Sequence, residues 1–137
     1  MDTYILDTSV VVKWYVTETN SDKANQLLDR FLHHALELVA PDVITLELVN
    51  ALKFGAHYSN SDLVKAVNYF YQLNLILIGT NQALIIKTVN LLNQPSLAAY
   101  DAYFIALANE LQLPLITCDI KHHQQSVFPL IRYLNEI

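Results

Sequence analysis

The chain has 137 residues, of which 53% are hydrophobic and only 15% charged; this composition predicts one domain with a real core and excludes intrinsic disorder. A net charge of −5 argues against broad electrostatic binding of nucleic acid by the free monomer, although metal ions could neutralise both an acidic pocket and a phosphate. The single cysteine, Cys118, excludes an intrachain disulfide and a cysteine-based zinc cluster, and the two glycines allow neither a P-loop nor a dinucleotide-binding turn.

Short β-type runs alternate with amphipathic stretches along the first half of the chain. The pattern predicts a strand over 4–6 and then a short helix to about residue 15, which Asp7-Thr8-Ser9 can cap. A helix over 20–34 and a strand over 38–40 follow. Pro41 is expected to open a helix that reaches about residue 57, and a further helix covers 61–72.

The same alternation continues in the second half. We expect a strand over 75–78, a helix over 82–93, a helix over 96–111 that Pro95-Ser96 opens, a strand over 115–117, a short helix after Asp119 and a last strand over 130–133. This β-α-β order predicts an α/β fold, a three-layer α/β/α arrangement with a mainly parallel central sheet, formed by residues 1–137 as a single domain. No apolar run approaches the ~18 residues of a membrane span and no basic leader precedes one, so we expect a cytoplasmic protein without a membrane anchor.

Asp101 is an acid on a helix face that is otherwise apolar. At 100° per residue, it falls among Leu97, Phe104, Ile105 and Ala108, and no Lys or Arg occurs between residues 96 and 111 to pair with it. Because a buried, unpaired carboxylate costs several kcal/mol, such a residue usually meets a cation or a functional cleft.

Three further acids are placed where a functional site is expected. Asp7 and Asp119 follow predicted strands, and ligands of open parallel sheets bind beyond the carboxyl ends of the strands. Glu47 lies on a largely apolar helix face, with Asn50 three residues on.

If the four acids converge, the pocket needs protons or a cation. At about 5 Å and an effective dielectric near 20, each ionised pair repels by about 3 kcal/mol. Oxygen ligands without His or Cys favour Mg²⁺ or Mn²⁺ over zinc. We therefore predict a carboxylate-lined divalent-metal site suited to hydrolysis of phosphodiester bonds.

Simpler interpretations stay open for each residue taken alone. Asp7 and Asp119 could be plain N-caps, Glu47 a solvated helical acid, and Asp101 solvent-exposed if the helix register differs. We expect Cys118 to be a small buried residue, His122 and His123 to be surface residues, and Trp14-Tyr15 and Tyr69-Phe70-Tyr71 to pack in the core or a dimer.

The segments around these acids resemble the PIN-domain family over essentially the whole chain. They are LDTSVVVKW around Asp7, APDVITLELVNAL around Glu47, YDAYFIALANELQLPLIT around Asp101, and TCD ending at Asp119. The first two look closest to the VapC-like toxins of type II toxin–antitoxin modules.

This resemblance implies a Mg²⁺- or Mn²⁺-dependent endoribonuclease that acts on RNA, forms a homodimer and is blocked by a cognate antitoxin protein. Carried over, Asp7, Asp101 and Asp119 are metal-site acids and Glu47 completes the pocket. Thr117 fits the hydroxyl position before the last acid, and Thr8, Ser9 and Asn50 are expected to support the acids. His122-His123 departs from the family pattern, in which another acid or a basic residue is more usual.

Two other functions remain open at this stage. A receiver-type phosphoacceptor signalling domain also places acids at strand ends, but it needs a lysine beside them, and Lys121 does not follow a strand directly. A non-catalytic PIN-like interaction scaffold would tolerate replacement of all four acids.

Overall fold

Five strands form the central sheet of the computed structural model, which describes residues 1–94 and 97–137. In the order β3-β2-β1-β4-β5, they are β1 (Asp2–Leu6), β2 (Leu36–Pro41), β3 (Ile76–Ile78), β4 (Leu115–Thr117) and β5 (Ile131–Tyr133). Every pairing is parallel. The prediction of a mainly parallel sheet is therefore confirmed.

The helices follow the predicted order, most of them with shorter bounds. Within the described residues they are α1 (Thr8–Val11), α2 (Ser21–Leu32), α3 (Ile44–Asn50), α4 (Asn60–Gln72), α5 (Gln82–Leu91) and α6 (Ala99–Leu111). A 3₁₀ turn, Val12–Trp14, extends α1, and a π-helical turn, Ala51–Gly55, extends α3. None of the described helices has the length and hydrophobicity that a membrane-spanning segment requires.

The strand order explains the three layers. The chain steps from β1 to β2 to β3 in one direction along the sheet and then crosses back to β4 on the other side of β1. Right-handed crossovers in opposite directions place their helices on opposite faces of the sheet. In agreement, helix contacts join α1 with α3 and α3 with α4, whereas α5 packs on α6. The predicted three-layer α/β/α architecture is confirmed.

The core lies where the sheet meets these two helix layers. Its centre is the pair of neighbouring strands β1 and β4, whose Ile5, Leu6, Leu115 and Ile116 are fully buried. The continuous apolar runs of these strands are typical of parallel strands that are covered on both faces.

Two predicted element boundaries are wrong. Pro41 is the last residue of β2 and does not open a helix. Because the pairing of β2 with β1 stops at Val39, the missing N–H of Pro41 removes no hydrogen bond between these two strands. The residues after Asp119 form turns instead of a short helix. The His123 N–H donates to the Asp119 carbonyl as in a first helical turn, but the residues directly after His123 do not continue this pattern of backbone hydrogen bonds. The predicted helix start at Pro95-Ser96 lies outside the described residues, and α6 begins at Ala99.

The reversal of strand order creates a cleft at the carboxyl ends of β1 and β4. Asp7 directly follows β1, and its backbone N–H donates to the carbonyl of Ile116 in β4 at 3.0 Å. Such a topological switch point is the usual ligand position in open α/β sheets.

Candidate metal centre

Asp7 lies at the base of this cleft and is only 7% exposed. It occupies the N-cap position of α1, but its side chain makes no capping hydrogen bond. Instead, its Oδ2 atom accepts from the hydroxyls of Ser9 at 2.6 Å and Thr117 at 2.9 Å. The carboxylate is thus fixed by two hydroxyls on one oxygen, and the N-cap interpretation of Asp7 does not account for its contacts.

The same two hydroxyls tie the end of β4 to the start of α1. The Ser9 oxygen accepts from the backbone N–H of Cys118 at 3.0 Å, and the Thr117 oxygen accepts from the backbone N–H of Asp119 at 3.0 Å. Thr117 is fully buried. Because a hydroxyl both donates and accepts, each side chain can accept a hydrogen bond from a backbone N–H after β4 while it donates one to Asp7.

Asp119 combines a capping role with a position in the pocket. Its Oδ1 atom accepts from the backbone N–H of His122 at 3.1 Å, and its Oδ2 atom lies 2.9 Å from His122 Nδ1. The cap interpretation therefore describes half of its contacts. Oxygens of Asp119 and Asp101 and a nitrogen of His123 nevertheless lie within 4.8 Å of one another.

Asp101 and Glu47 reach the cleft from helices on opposite faces of the sheet. Asp101 lies in the first turn of α6, partly buried, with Phe104, Ile105 and Ala108 buried on the same helix, as the helical pattern predicts. Glu47 on α3 accepts from the Thr8 hydroxyl at 2.9 Å. The cleft therefore gathers acids from both helix layers.

Asn50 is the predicted site residue that lies outside this network. Its side chain is exposed and lines a groove beside Glu47, together with Val43, Leu46 and Tyr100. The largely apolar helix face predicted around Glu47 includes Phe54, two turns further on, and Phe54 is 69% exposed. This face is therefore only partly buried.

His123 is the residue that sequence reasoning misplaced. The sequence predicts a surface position for His123, but its side chain is fully buried in the cleft, with Nε2 3.5 Å from Asp7 Oδ1 and 3.7 Å from Asp101 Oδ1. Among the described residues neither ring nitrogen has a hydrogen-bond partner. A sequence signal did exist: the pair His122-His123 directly follows the last acid. The sequence predicts a metal site of oxygen ligands alone, whereas the cleft also contains an imidazole nitrogen.

Burial and mutual repulsion shift the protonation of two acids. Burial disfavours the charged carboxylate of Asp101 and raises its pKa, and the neighbouring Asp7 adds repulsion. Burial likewise raises the pKa of Glu47, against the opposing hydrogen bond from Thr8. Without a metal ion, these two carboxyls are therefore more easily protonated than free carboxyls.

The base of the pocket behaves in the opposite way. Burial tends to raise the pKa of Asp7, but the His123 imidazole and the hydroxyls of Ser9 and Thr117 outweigh burial, and the pKa is lowered. Burial disfavours the charged imidazole, yet the adjacent Asp7, with Asp101 and Asp119, raises the pKa of His123. Asp7 and His123 therefore stabilise each other's charged forms.

Among the described residues, histidines are the ion-pair partners of the pocket acids, His122 beside Asp119 and His123 beside Asp7 and Asp101. Within residues 1–94 and 97–137, the Lys and Arg ion pairs are Lys13 with Glu18 and Lys87 with Glu110, so neither cation type pairs with the four acids. Carboxylates that converge without a Lys or Arg partner, beside a buried imidazole that lacks a hydrogen bond, are suited to a divalent ion.

Comparison with known proteins identifies the fold. A toxin–antitoxin complex from Klebsiella pneumoniae shares 18% identity at a TM-score of 0.70, over 98% of this chain and 99% of that chain. VapBC2 of Rickettsia felis, bound to a promoter DNA fragment, shares 14% identity at a TM-score of 0.68, over 96% and 98%. VapC20 of Mycobacterium tuberculosis, a toxin that cleaves the sarcin-ricin loop, shares 12% identity at a TM-score of 0.63, over 80% and 84%.

At these identities the structural likeness establishes the fold alone. A search of curated protein sequences finds no match. The PIN domain family profile, by contrast, matches residues 4–126, which hold all four acids and His123. This chain belongs to the PIN-domain family.

Proposed function

We propose that the protein is a metal-dependent endoribonuclease and the toxin of a toxin–antitoxin pair. The observation that carries this proposal is the convergence of Asp7, Glu47, Asp101 and Asp119 at the switch point of the sheet, with no Lys or Arg of the described residues paired to them. The family and its structural neighbours, which include a toxin that cleaves the sarcin-ricin loop, support the same reaction class. We further propose that residues 1–137 form one domain and that it acts on RNA in the cytoplasm.

In this proposal Asp7, Asp101 and Asp119 hold Mg²⁺ or Mn²⁺, and Glu47 completes the acidic pocket. When bound, the ion supplies charge for the phosphate and lowers the pKa of a water. Asp7 presents Oδ1 to the cleft while the Ser9 and Thr117 hydroxyls keep Oδ2 in place. The raised pKa of Glu47 would suit it to exchange a proton with an attacking water or with the leaving oxygen.

Two residues extend this assignment to the rim. Thr8 orients Glu47 through its 2.9 Å hydrogen bond. Asn50, exposed in the groove beside Glu47, is positioned to contact the RNA backbone as a hydrogen-bond donor.

An antitoxin partner fits an aromatic groove between the start of the chain and α4. Trp14, Tyr15, Tyr58 and Tyr69 line this groove of about 610 Å³, and Tyr15 packs edge-to-face on Tyr69. Aromatic side chains that stay partly exposed are the usual anchors of protein interfaces. The toxin–antitoxin complexes among the structural neighbours support such a partner.

A homodimer would cover an apolar groove on α5 and α6. Ile85, Val89, Leu92 and Tyr100 are 39–63% exposed and line a groove of about 270 Å³. An exposed apolar surface of this kind, on two helices that pack on each other, is typical of a subunit interface.

Cleavage of total cellular RNA tests the proposed reaction. The parent protein, with Mg²⁺ or Mn²⁺, should cut RNA, and a chelator should stop it. Asp101→Asn should lose activity by roughly a thousandfold, because a bound ion contributes several kcal/mol of charge stabilisation. Asp29→Asn, the same change at an exposed position on α2, is the matched control and should stay active.

Three outcomes would contradict the proposal. Equal cleavage by the parent and Asp101→Asn would indicate a contaminating nuclease. Metal binding without cleavage of any RNA would favour the non-catalytic scaffold. Labelling of an acid by acetyl phosphate would favour the phosphoacceptor domain.

A further inference from the structure

We propose that His123 is a nitrogen ligand of the metal centre and that it tunes the centre toward a divalent transition ion such as Mn²⁺ and away from Mg²⁺. This inference rests on the proposed function, because it assigns a further ligand to the same acidic pocket. The carboxylates alone would not distinguish the two ions so strongly, since oxygen ligands suit both.

The first argument is the environment of the imidazole. His123 is fully buried, and neither Nδ1 nor Nε2 has a hydrogen-bond partner among the described residues. A buried polar group without a partner costs about 1–3 kcal/mol, and native proteins rarely leave one unexplained. The imidazole is nevertheless directed into the acid cluster, where a metal ion would satisfy Nε2.

The second argument is the spacing of the donor atoms. Nε2 lies 3.5 Å from Asp7 Oδ1 and 3.7 Å from Asp101 Oδ1, which is long for a hydrogen bond between charged groups. Two ligands at about 2.1 Å from one octahedral ion are about 3.0 Å apart when adjacent and about 4.2 Å when opposite. The observed separations are longer than the adjacent one by about 0.5 and 0.7 Å, so small side-chain movements would bring Nε2 and either carboxylate oxygen to adjacent ligand positions.

The third argument is that the backbone holds the ring in place. The His123 N–H donates to the Asp119 carbonyl at 3.0 Å, and the His123 carbonyl accepts from the Tyr133 hydroxyl at 3.0 Å. The turn after Asp119 is therefore anchored to β5, and it delivers a carboxylate and an imidazole from one short segment. Oxygens of Asp101 and Asp119 lie within 4.8 Å of the ring nitrogen and of each other.

Nitrogen ligation predicts a preference among ions. For sites that contain imidazole, affinity rises from Mn²⁺ through the later transition ions, whereas Mg²⁺ is matched to oxygen ligands. Loss of His123 should therefore weaken Mn²⁺ binding more than Mg²⁺ binding. The loss of an outer-shell partner typically costs roughly 10–100-fold in metal affinity, so we expect at least about tenfold for Mn²⁺ when this ligand is removed.

Pulsed electron paramagnetic resonance of Mn²⁺ added to the metal-free protein tests the assignment directly. The parent should show modulation from a directly bound ¹⁴N nucleus, and labelling of histidine alone with ¹⁵N should convert the pattern to that of ¹⁵N. This arm needs no substitution and is independent of any folding defect. In the variants, His123→Gln should lose the coupling, whereas His122→Gln, which removes the imidazole beside Asp119, should keep it.

The outcomes separate this inference from the proposed function. Mn²⁺ bound without nitrogen coupling, in a protein that cleaves RNA, would overturn the role of His123 and leave the nuclease intact. Coupling that survives in His123→Gln but is lost in His122→Gln would identify His122 as the nitrogen ligand and overturn the role of His123. No Mn²⁺ binding and no cleavage would overturn both.

Discussion

Removal of the Thr117 hydroxyl should uncouple the two sides of the cleft. In Thr117→Val the side chain keeps nearly the same volume but can neither donate to Asp7 Oδ2 nor accept from the backbone N–H of Asp119, which it now contacts at 2.9 Å and 3.0 Å. A hydrogen bond to a charged acceptor contributes about 1.5–3 kcal/mol, and an unsatisfied buried N–H costs about 1–3 kcal/mol. Because Thr117 is fully buried, water cannot replace either contact.

We therefore expect Thr117→Val to lower the free energy of unfolding of the metal-free protein by about 3 kcal/mol. At roughly 3–5 °C per kcal/mol for a domain of this size, Tm should fall by about 10 °C. Mn²⁺ affinity should fall by roughly 10–100-fold, the usual effect of losing a group that orients a ligand. Urea unfolding in chelator and calorimetric Mn²⁺ titration measure the two quantities.

Thr117→Ser is the matched control, because it keeps the hydroxyl and loses one methyl group. It should cost about 1 kcal/mol and leave Mn²⁺ affinity near that of the parent. If the valine variant is as stable as the serine variant and binds Mn²⁺ equally well, the hydroxyl does not hold Asp7, and the reasoning about the cleft is refuted.

Three further predictions follow from the charges of the pocket. Asp101→Asn should leave the metal-free protein as stable as the parent or more so, because burial and Asp7 already oppose the Asp101 charge. The same variant should lose strong Mn²⁺ binding. A clear loss of stability in urea with chelator would instead make Asp101 a structural residue. The lowered pKa of Asp7 stabilises the fold above about pH 4, and this stability is lost as pH falls through the pKa of Asp7 in the folded protein. The raised pKa of His123 stabilises the fold below about pH 6.5, and this stability is lost as pH rises through the pKa of His123 in the folded protein. The raised pKa values of Asp101 and Glu47 withdraw some stability as pH rises above about 4. The further decline above about pH 6.5 should be smaller in His123→Gln than in the parent, and an equally large decline in both would contradict the assignment to His123. Burial raises the pKa of the Cys118 thiol, so iodoacetamide at neutral pH should modify it more slowly in the folded protein than in urea, and equal rates would show a reactive thiol.

The architecture was predictable from the sequence because its elements are locally encoded. Apolar runs, helical periodicity and the βαβ order fix the strands and helices. The acids that follow β1 and β4 then lie at the same edge of the sheet, because those strands are neighbours. Asp101 stands out in the sequence because a lone acid on an apolar helix face conflicts with its local pattern. The supporting hydroxyls of Ser9 and Thr117 lie beside the acids in sequence, and they lie beside them in space.

The errors occurred where the outcome depends on tertiary contacts. Pro41 has the same local signature at the start of a helix and at the end of a strand, and its pairing with Ile78 of β3 distinguishes them. His123 carries no apolar pattern, so its burial follows from the turn that Asp119 and Tyr133 hold together across ten residues. Which of two adjacent histidines enters the cleft is a matter of turn geometry, and sequence spacing does not encode it.

Anomalous X-ray scattering from crystals soaked in Mn²⁺ tests the central claim most directly. The account predicts one strong peak in the cleft, within ligand distance of Asp7, Asp101 and Asp119, that is absent in Asp101→Asn. A cleft without a peak at millimolar Mn²⁺, or a peak only elsewhere on the surface, would contradict a metal-dependent nuclease built on these acids.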